Sequence, residues 1–472
     1  MTYSKTIMLV FYERWLRVVS RWRAQPGALR VFFLTVTLFA WSYQPLMNLG
    51  MSSTAHLELS MPMIACMAFV ILSIPRLISH WRIFVNDPWM AMLSISAAYS
   101  GISLLYSRNV ARGIVLWAMV LLIVMVCASI IVWRKEIHAE RQFLMYSAAV
   151  GVLASCVFAW FQIFSEALGA PSSITLLPPM YGSEVFGFAR PTGWFAEPQF
   201  LANFLVIPLI YLLWLWLTTG KISRLQSGMA GVMWITLIAT LSRGGYIAMA
   251  IGSIVLISAY RPAMTRVLRC LVLTGAVTAS TLLGLAAIAH YQPGSLDGYQ
   301  SLQKALPHIS LGLIHLPESA PAVSSQLPNT APVTSSQTDR ETMSSTALHI
   351  LVTDMPTALF GVGLGGFGVA AHAYNPDLGI GSVVNNHYLE TASELGSVGI
   401  ILFAACCIIP LIALYRQRLW LGMALIVALI SQWCFFSGYP NVLHIWCVLA
   451  VSYGATLLPA RPPRRNQHNR VS

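Results

Sequence analysis

Apolar runs of roughly the 20 residues that a helix needs to cross a bilayer recur along most of the chain. Short breaks containing Arg, Lys, Pro or Gly separate them. Of the 472 residues, 57% are hydrophobic and 9% are charged, whereas soluble domains are roughly 25% charged. Such a chain cannot hide its apolar surface from water, so lipid must be its main solvent. Because lipid leaves backbone polar groups without partners, the runs must be helices or strands of a closed barrel, and their length indicates helices.

The pattern predicts an all-α polytopic integral membrane protein of about 12 transmembrane helices, with one large periplasmic loop between helices 9 and 10. The predicted spans are 30–49, 59–77, 87–106, 112–133, 142–166, 198–218, 228–242, 244–260, 269–290, 396–415, 418–436 and 440–458. The chain then divides into a cytoplasmic amphipathic segment (1–28), helices 1–9 (29–290, with a periplasmic loop at 167–197), the large periplasmic loop (291–395), helices 10–12 (396–458) and a basic cytoplasmic tail (459–472).

The positive charges predict the orientation. Of the 28 Lys and Arg residues, 22 lie on the side of the amino terminus, and the other side carries only Arg108, Arg112, Arg190, Arg243, Lys304 and Arg340. Positive residues near span ends are retained in the cytoplasm, so both termini are expected there. The net charge of +12 is therefore a topology signal, and we expect no nucleic-acid partner. All eight cysteines lie within or at the ends of apolar runs, which predicts neither a disulfide framework nor a metal site.

Arginines on the outer side need a reason to be there, because membrane insertion disfavours them. Anion binding is one reason, and snorkelling of a span-end side chain to the interface is the other. Arg108 and Arg112, which bracket a short turn, fit snorkelling. Arg243 lies in the turn Ser242-Arg243-Gly244-Gly245 between two spans, where the glycines are expected to clear space beside it. A guanidinium fork at such a boundary matches phosphate oxygens.

A second candidate stretch, Asn385 to Gly396, leads into the tenth span. His387, Glu390 and Glu394 are spaced i, i+3 and i+7, so on a helix they share one face. That face could supply a base beside a bound phosphate ester. The alternative is a solvated helix turn with a capping Asn and ordinary surface carboxylates.

Two further features lie in the large loop. Residues 317–346 are rich in Pro, Ser, Thr and Ala, which predicts a mobile segment, and Ser344 to Met355 is predicted to be helical. The run Gly361 to Gly368 could suggest a dinucleotide fingerprint, but no strand precedes it. It is better explained as a tight turn that brings backbone close to a neighbouring helix or ligand.

Several motifs together resemble one family. They are Arg190 to Asn203, the Ser242-Arg243-Gly244 turn, and Gly361-Val362-Gly363 followed by Asn386, Tyr388-Leu389-Glu390, Glu394 and Gly396. In order, side and spacing they resemble the bacterial O-antigen ligase and polymerase superfamily, whose members are lipid-linked oligosaccharide transferases of the inner membrane. The resemblance covers roughly residues 190 to 440.

The resemblance implies a reaction and a site. Periplasmic arginines, here Arg190 and Arg243, would bind the diphosphate of an undecaprenyl-diphosphate-linked glycan donor, and Arg340 resembles the loop arginine ahead of the Gly motif. A hydroxyl of a glycan acceptor would attack the anomeric carbon and displace the lipid diphosphate, without a metal or any cofactor. Asn386 and Gly363 match supporting positions.

The candidate catalytic residues are His387, Glu390 and Glu197. Family ligases carry a histidine where this chain has Asn385, and an Asn cannot act as a base at neutral pH, so His387 or a carboxylate would take that role. The motif Phe195-Ala196-Glu197-Pro198 resembles exopolysaccharide polymerases more than ligases. We therefore expect a polymerase that builds a cell-surface polysaccharide, for which a chain-length regulator would be a further partner.

The alternatives are an O-antigen ligase that transfers the glycan to lipid A-core, and a transporter of polysaccharide or lipid-linked sugar. Transporters usually place ionisable residues in mid-membrane, and no predicted span has one at its centre. The two halves of the chain also show no obvious repeat. A scaffold without activity would not need three outward arginines.

Overall fold

The computed structural model describes residues 20–41, 45–52, 55–177, 189–195, 197–262, 264–291, 303, 305–306, 336–436 and 443–459. The first half contains α1 (Gly27–Leu38), the strands β1 (Pro45–Ser52) and β2 (Ala55–Ser60), then α2 (Met61–Ser79), α3 (Ile83–Asn86), α4 (Pro88–Ile102), α5 (Val110–Val132), α6 (Arg134–Ala139), α7 (Arg141–Ala167) and α8 (Ser172–Thr175). The second half contains α9 (Pro198–Thr219), α10 (Arg224–Ala239), α11 (Arg243–Tyr260), α12 (Met264–Tyr291), α13 (Ser336–Leu351), α14 (Met355–Phe360), α15 (Phe367–Tyr374), α16 (His387–Arg416), α17 (Trp420–Gln432) and α18 (Leu443–Thr456).

The described helices are those of a polytopic membrane protein. Eight of them are long and apolar enough to cross a membrane, and α17, α18 and the segment Gly27–Trp41 are shorter apolar helices. The predicted all-α polytopic class is thereby confirmed. Every predicted span overlaps a helix, although the exact number of crossings stays a prediction.

The second half of the first predicted span, 30–49, is wrong. Helix α1 ends at Leu38, a short 3-10 turn follows to Trp41, and β1 then pairs antiparallel with β2. Hydropathy alone extended the helix through Pro45 and towards Gly50, although both residue types are poor helix formers. In β1 they occupy a paired backbone, with register shifts next to Pro45 and Gly50.

Parts of the predicted loops and ends lie outside the described residues. These are 1–19 of the amphipathic segment, 178–188 and 196 of the first loop, most of 292–335, and 460–472 of the tail. Residues 336–346 of the segment expected to be mobile belong to α13, so that expectation is wrong for them. This largely polar helix is stabilised because Ala347 and Ile350 pack against Val362 and Phe367. The helix predicted from Ser344 to Met355 corresponds to the second half of α13, which ends at Leu351, and Met355 begins α14.

Close helix packing holds α11, the helix that begins at Arg243. Gly252 of α11 faces α9 and α17, and a Cβ on it would lie 2.3 Å from Ile210 Cδ1 and 3.2 Å from Ala428 Cβ. Small residues allow membrane helices to approach in this way. Alternating helix directions bring the start of α9, the α10–α11 turn, the α4–α5 turn and the start of α16 to one end of the bundle, and the large loop's helices pack on that end.

Candidate functional site

Two of the predicted arginines, Arg340 and Arg243, act electrostatically on the third, Arg190. Burial lowers the pKa of the half-buried Arg190 guanidinium, and the charges of Arg340 and Arg243 lower it further, while Glu197 opposes them. The Nε atoms of Arg190 and Arg243 are buried and have no hydrogen-bond partner among the described residues. Three cations beside Glu197, two of them with a buried Nε donor left over, form a place suited to an anion.

A buried glutamine that the sequence patterns did not reveal holds the Arg190 loop. The Gln162 side chain of α7 accepts hydrogen bonds from the Thr192 and Gly193 amides at 3.1 and 2.8 Å. It donates to the Thr175 and Gly193 carbonyls at 2.9 and 3.1 Å. Trp194 then stacks on Phe158 with ring centroids 3.7 Å apart. In the sequence, the role of Gln162 is indicated only by its position as a lone Gln near the end of an apolar run.

The Arg243 turn differs from the expectation. Ser242 caps α11 by accepting from the Gly245 amide at 3.3 Å. A Cβ on Gly244 would lie 3.1 Å from the Phe435 ring, and one on Gly245 would lie 2.8 Å from Ala202 Cβ. The glycines therefore seat α11 against its neighbours and do not clear space for a ligand, so that interpretation was wrong.

Glu197 lies beside the arginines at the start of α9. Gln199 Nε2 donates to the Glu197 carboxylate, and Gln199 Oε1 accepts from Arg340 Nη2 at 3.5 Å. Gln199 thus links Glu197 to Arg340, a role that the motifs did not assign to it. We call Arg190, Arg243, Arg340, Glu197 and Gln199 the arginine cluster.

His387 and Glu390 form a second, deeper group. His387 is 1% exposed and Glu390 is 4% exposed, and His387 Nδ1 lies 3.6 Å from Glu390 Oε2. The imidazole lies edge-on to Phe403, with ring centroids 4.9 Å apart. Asn386 caps α16 by accepting from the Tyr388 and Leu389 amides. Asn386 therefore caps the helix, as the alternative interpretation expects. Glu390, however, is buried and is not the surface carboxylate that the same interpretation expects.

Glu394 and the Gly run form a clasp. Glu394 is 3% exposed, and it accepts hydrogen bonds from the backbone amides of Phe367, at 3.4 Å, and Gly365. Gly361 has a φ of 74°, and a Cβ there would lie 2.3 Å from the Glu394 carbonyl oxygen. Gly363 approaches Ser107 of the α4–α5 turn equally closely. Of the two interpretations of the Gly run, the structure favours backbone packing against neighbouring elements.

The turn at 433–436 connects the arginine cluster with the His387 group. The His387 amide donates to the carbonyl oxygens of Trp433 and Phe436, at 2.8 and 3.1 Å. Phe436 packs edge-on to Phe200 in the first turn of α9. The structure brings Arg190, Arg243, Arg340 and Glu197 together. The other catalytic candidates, His387 and Glu390, lie on α16, at the same end of the helix bundle.

Part of the chain matches a known protein family. Residues 228–404 match the family model described as O-antigen ligase, and no curated protein matches the chain significantly. The matched region runs from α10 into α16 and includes Arg243, Arg340 and Glu390. The resemblance to the O-antigen ligase and polymerase superfamily is confirmed over this region, while Arg190 and Glu197 precede it.

Proposed function

We propose, from the match of residues 228–404 to the O-antigen ligase family, that this membrane protein polymerises undecaprenyl-diphosphate-linked oligosaccharide units into a cell-surface polysaccharide. The active face is periplasmic and both termini are cytoplasmic, as the distribution of positive charge indicates. The donor is the lipid-linked glycan, and the acceptor is a second glycan. The reaction uses no metal or cofactor.

The observation that carries this proposal is that Arg340 and Arg243 act on the charge of Arg190, while Gln199 links Arg340 to Glu197 by hydrogen bonds. Membrane insertion disfavours cations on this side, and burial together with mutual repulsion costs stability. A diphosphate bound among the three guanidinium groups would relieve both costs. Its charge is also what develops as the leaving group departs, so the same contacts stabilise the transition state.

The chemistry is a displacement at the anomeric carbon. The acceptor hydroxyl oxygen forms a bond to that carbon while the bond from the carbon to the diphosphate oxygen breaks, and its electron pair leaves with the lipid diphosphate. The hydroxyl proton passes to a base. Glu197 is the candidate best supported for this role, because it is half-buried beside the arginines. His387 and Glu390 face an aromatic core and are the second candidates.

The test is transfer by membranes that contain equal amounts of each variant. We expect Arg190→Ala and Arg243→Ala to lose at least about thirtyfold in rate, which corresponds to the lower part of about 2–5 kcal/mol for a desolvated charge pair. Arg108→Ala, an exposed arginine on the same side, serves as the control. Normal polysaccharide amount and length in both cluster variants would rule out the transferase and favour transport.

The second candidate function is an O-antigen ligase, which the description of the matched family favours. The two functions differ in product. A polymerase yields longer chains that are still attached to the lipid diphosphate. A ligase moves the glycan onto lipid A-core without changing its length. The two functions can be distinguished in cells that lack the gene, when the glycans on lipid diphosphate and the glycans on lipid A-core are each resolved by size.

A further inference from the structure

Helix α14 belongs to the large loop but rests on the outer ends of two membrane spans. Tyr106, the last residue of the span Pro88–Tyr106, donates through its hydroxyl to the Phe360 carbonyl at 3.1 Å. On the other side, a Cβ on Gly396 of α16 would lie 2.2 Å from the Leu359 carbonyl oxygen. Backbone contacts on both sides therefore fix α14 at the level where these spans end.

Most of the exposed side chains around α14 are apolar. Val352 is 72% exposed, Met355 71%, Phe360 46% and Leu359 39%. At the end of the adjoining span, Leu105 is 87% exposed and Tyr106 is 41% exposed. We call these six residues the interfacial patch. Apolar groups clustered in this way mark a surface that contacts something other than water.

A polar group marks the start of the same helix. Asp354 caps α14 by accepting from the Thr357 amide at 2.7 Å. That hydrogen bond holds the pKa of Asp354 below its usual range, and Arg108 lowers it further. Apolar side chains with charges at the helix start, and an aromatic residue at the end of the adjoining span, are typical of the lipid–water boundary.

We propose that the interfacial patch inserts into the outer leaflet, at the boundary between headgroups and acyl chains, and anchors the large loop to the membrane. The ligand is the lipid surface itself. Because α14 leads directly into the Gly run that clasps α16, this anchor sets the depth of the clasp and of the start of α16 relative to the bilayer. The proposal needs only the membrane-spanning fold and does not depend on the transferase activity.

The test measures how close the patch lies to lipid in the full-length protein in nanodiscs. Exposed Cys434 and half-exposed Cys270 are first changed to Ser. A fluorophore is then attached at Met355→Cys, and at Asp377→Cys, an exposed position of the same loop, as the matched control. The discs contain either ordinary lipid or lipid with a nitroxide near the top of the acyl chain.

Interfacial helices bury their apolar face about 5–10 Å deep, so we expect nitroxide lipid to reduce fluorescence about twofold or more at position 355 and little at 377. Equal, weak quenching at both positions would overturn the proposal. A blue-shifted but unquenched fluorophore at 355 would also overturn it, because another part of the chain would then cover the patch. Catalytic failure of either variant has no bearing on this readout, so the test is independent of the proposed function.

Discussion

At the scale of single residues, the arginine cluster combines three positive charges with one carboxylate in a partly buried place. The predicted side of the membrane singled out six basic residues, and the resemblance to the family led from these to Arg190, Arg243 and Arg340. The partners Gln162 and Gln199 were not predicted, because hydropathy treats a glutamine only as an interruption and not as a hydrogen-bonding group. Their roles depend on contacts between distant parts of the chain.

Replacing Arg243 by Lys tests whether shape or charge matters there. Lysine keeps the positive charge but loses the planar fork that matches two phosphate oxygens. We therefore expect Arg243→Lys to lose at least about tenfold in transfer rate, or roughly 1.4 kcal/mol. Arg108→Lys, in an exposed position on the same side, should change the rate little. Equal rates in both variants would show that charge alone is enough.

Glu197, His387 and Glu390 can be distinguished by separating donor binding from transfer. Glu197→Gln keeps a hydrogen-bond acceptor for Gln199 but removes the group that takes a proton, so we expect donor binding to persist while transfer falls by about 10²–10⁴. His387→Ala and Glu390→Ala should lower the amount of folded protein more than the rate per molecule. If Glu197→Gln is active and His387→Ala is folded but inactive, the base is His387.

At the scale of secondary-structure elements, the sequence predicted helices well where apolar side chains continued and poorly where tertiary packing decided. It missed the start of α13, whose polar sequence is held by a few buried residues. The predicted start of the tenth span at residue 396 coincides with the break of α16 at Gly396, which has a φ of 68°. His387 to Arg416 are therefore two helical segments that meet at a kink at Gly396.

The clasp between the Gly run and α16 makes a prediction about stability. Gly361→Ala would place a Cβ against the Glu394 backbone and strain a positive φ, so we expect it to destabilise the protein by about 1–3 kcal/mol. Gly169→Ala is the matched control, since Gly169 has a φ of 77° but nothing within 4 Å of a Cβ. Thermal unfolding in detergent measures both. The additional loss of stability in Gly361→Ala reports the steric contact with Glu394. Equal losses of stability in both variants would mean that only backbone strain matters.

At the scale of the whole molecule, composition and charge were sufficient to predict an all-α membrane protein, because those properties are averages over many residues. The two-stranded hairpin after α1 was not predictable from averages. Nor was the meeting of the arginines, since it requires the α7–α9 loop, the α10–α11 turn and α13 to reach the same end. Such a meeting depends on topology and is not encoded in any one motif.

The orientation can be tested by labelling from outside. Ser325→Cys lies in the predicted periplasmic loop, and Lys221→Cys lies in a turn predicted to be cytoplasmic. With Cys434 replaced by Ser, a membrane-impermeant maleimide applied to intact spheroplasts should modify position 325 and leave 221 unmodified until the membrane is broken. The opposite pattern would place the arginine cluster in the cytoplasm.

The repulsion within the arginine cluster has a consequence for how long the protein lasts. A molecule whose cluster is empty retains the full cost of neighbouring like charges, and one that holds an anion does not. Ligand at about 100 times its Kd adds roughly 2.7 kcal/mol to the folded state. With the lipid-linked donor as the proposed ligand of the cluster, turnover by membrane proteases should be fastest when that donor is scarce, so that the amount of this protein would follow the supply of the donor without a separate sensor.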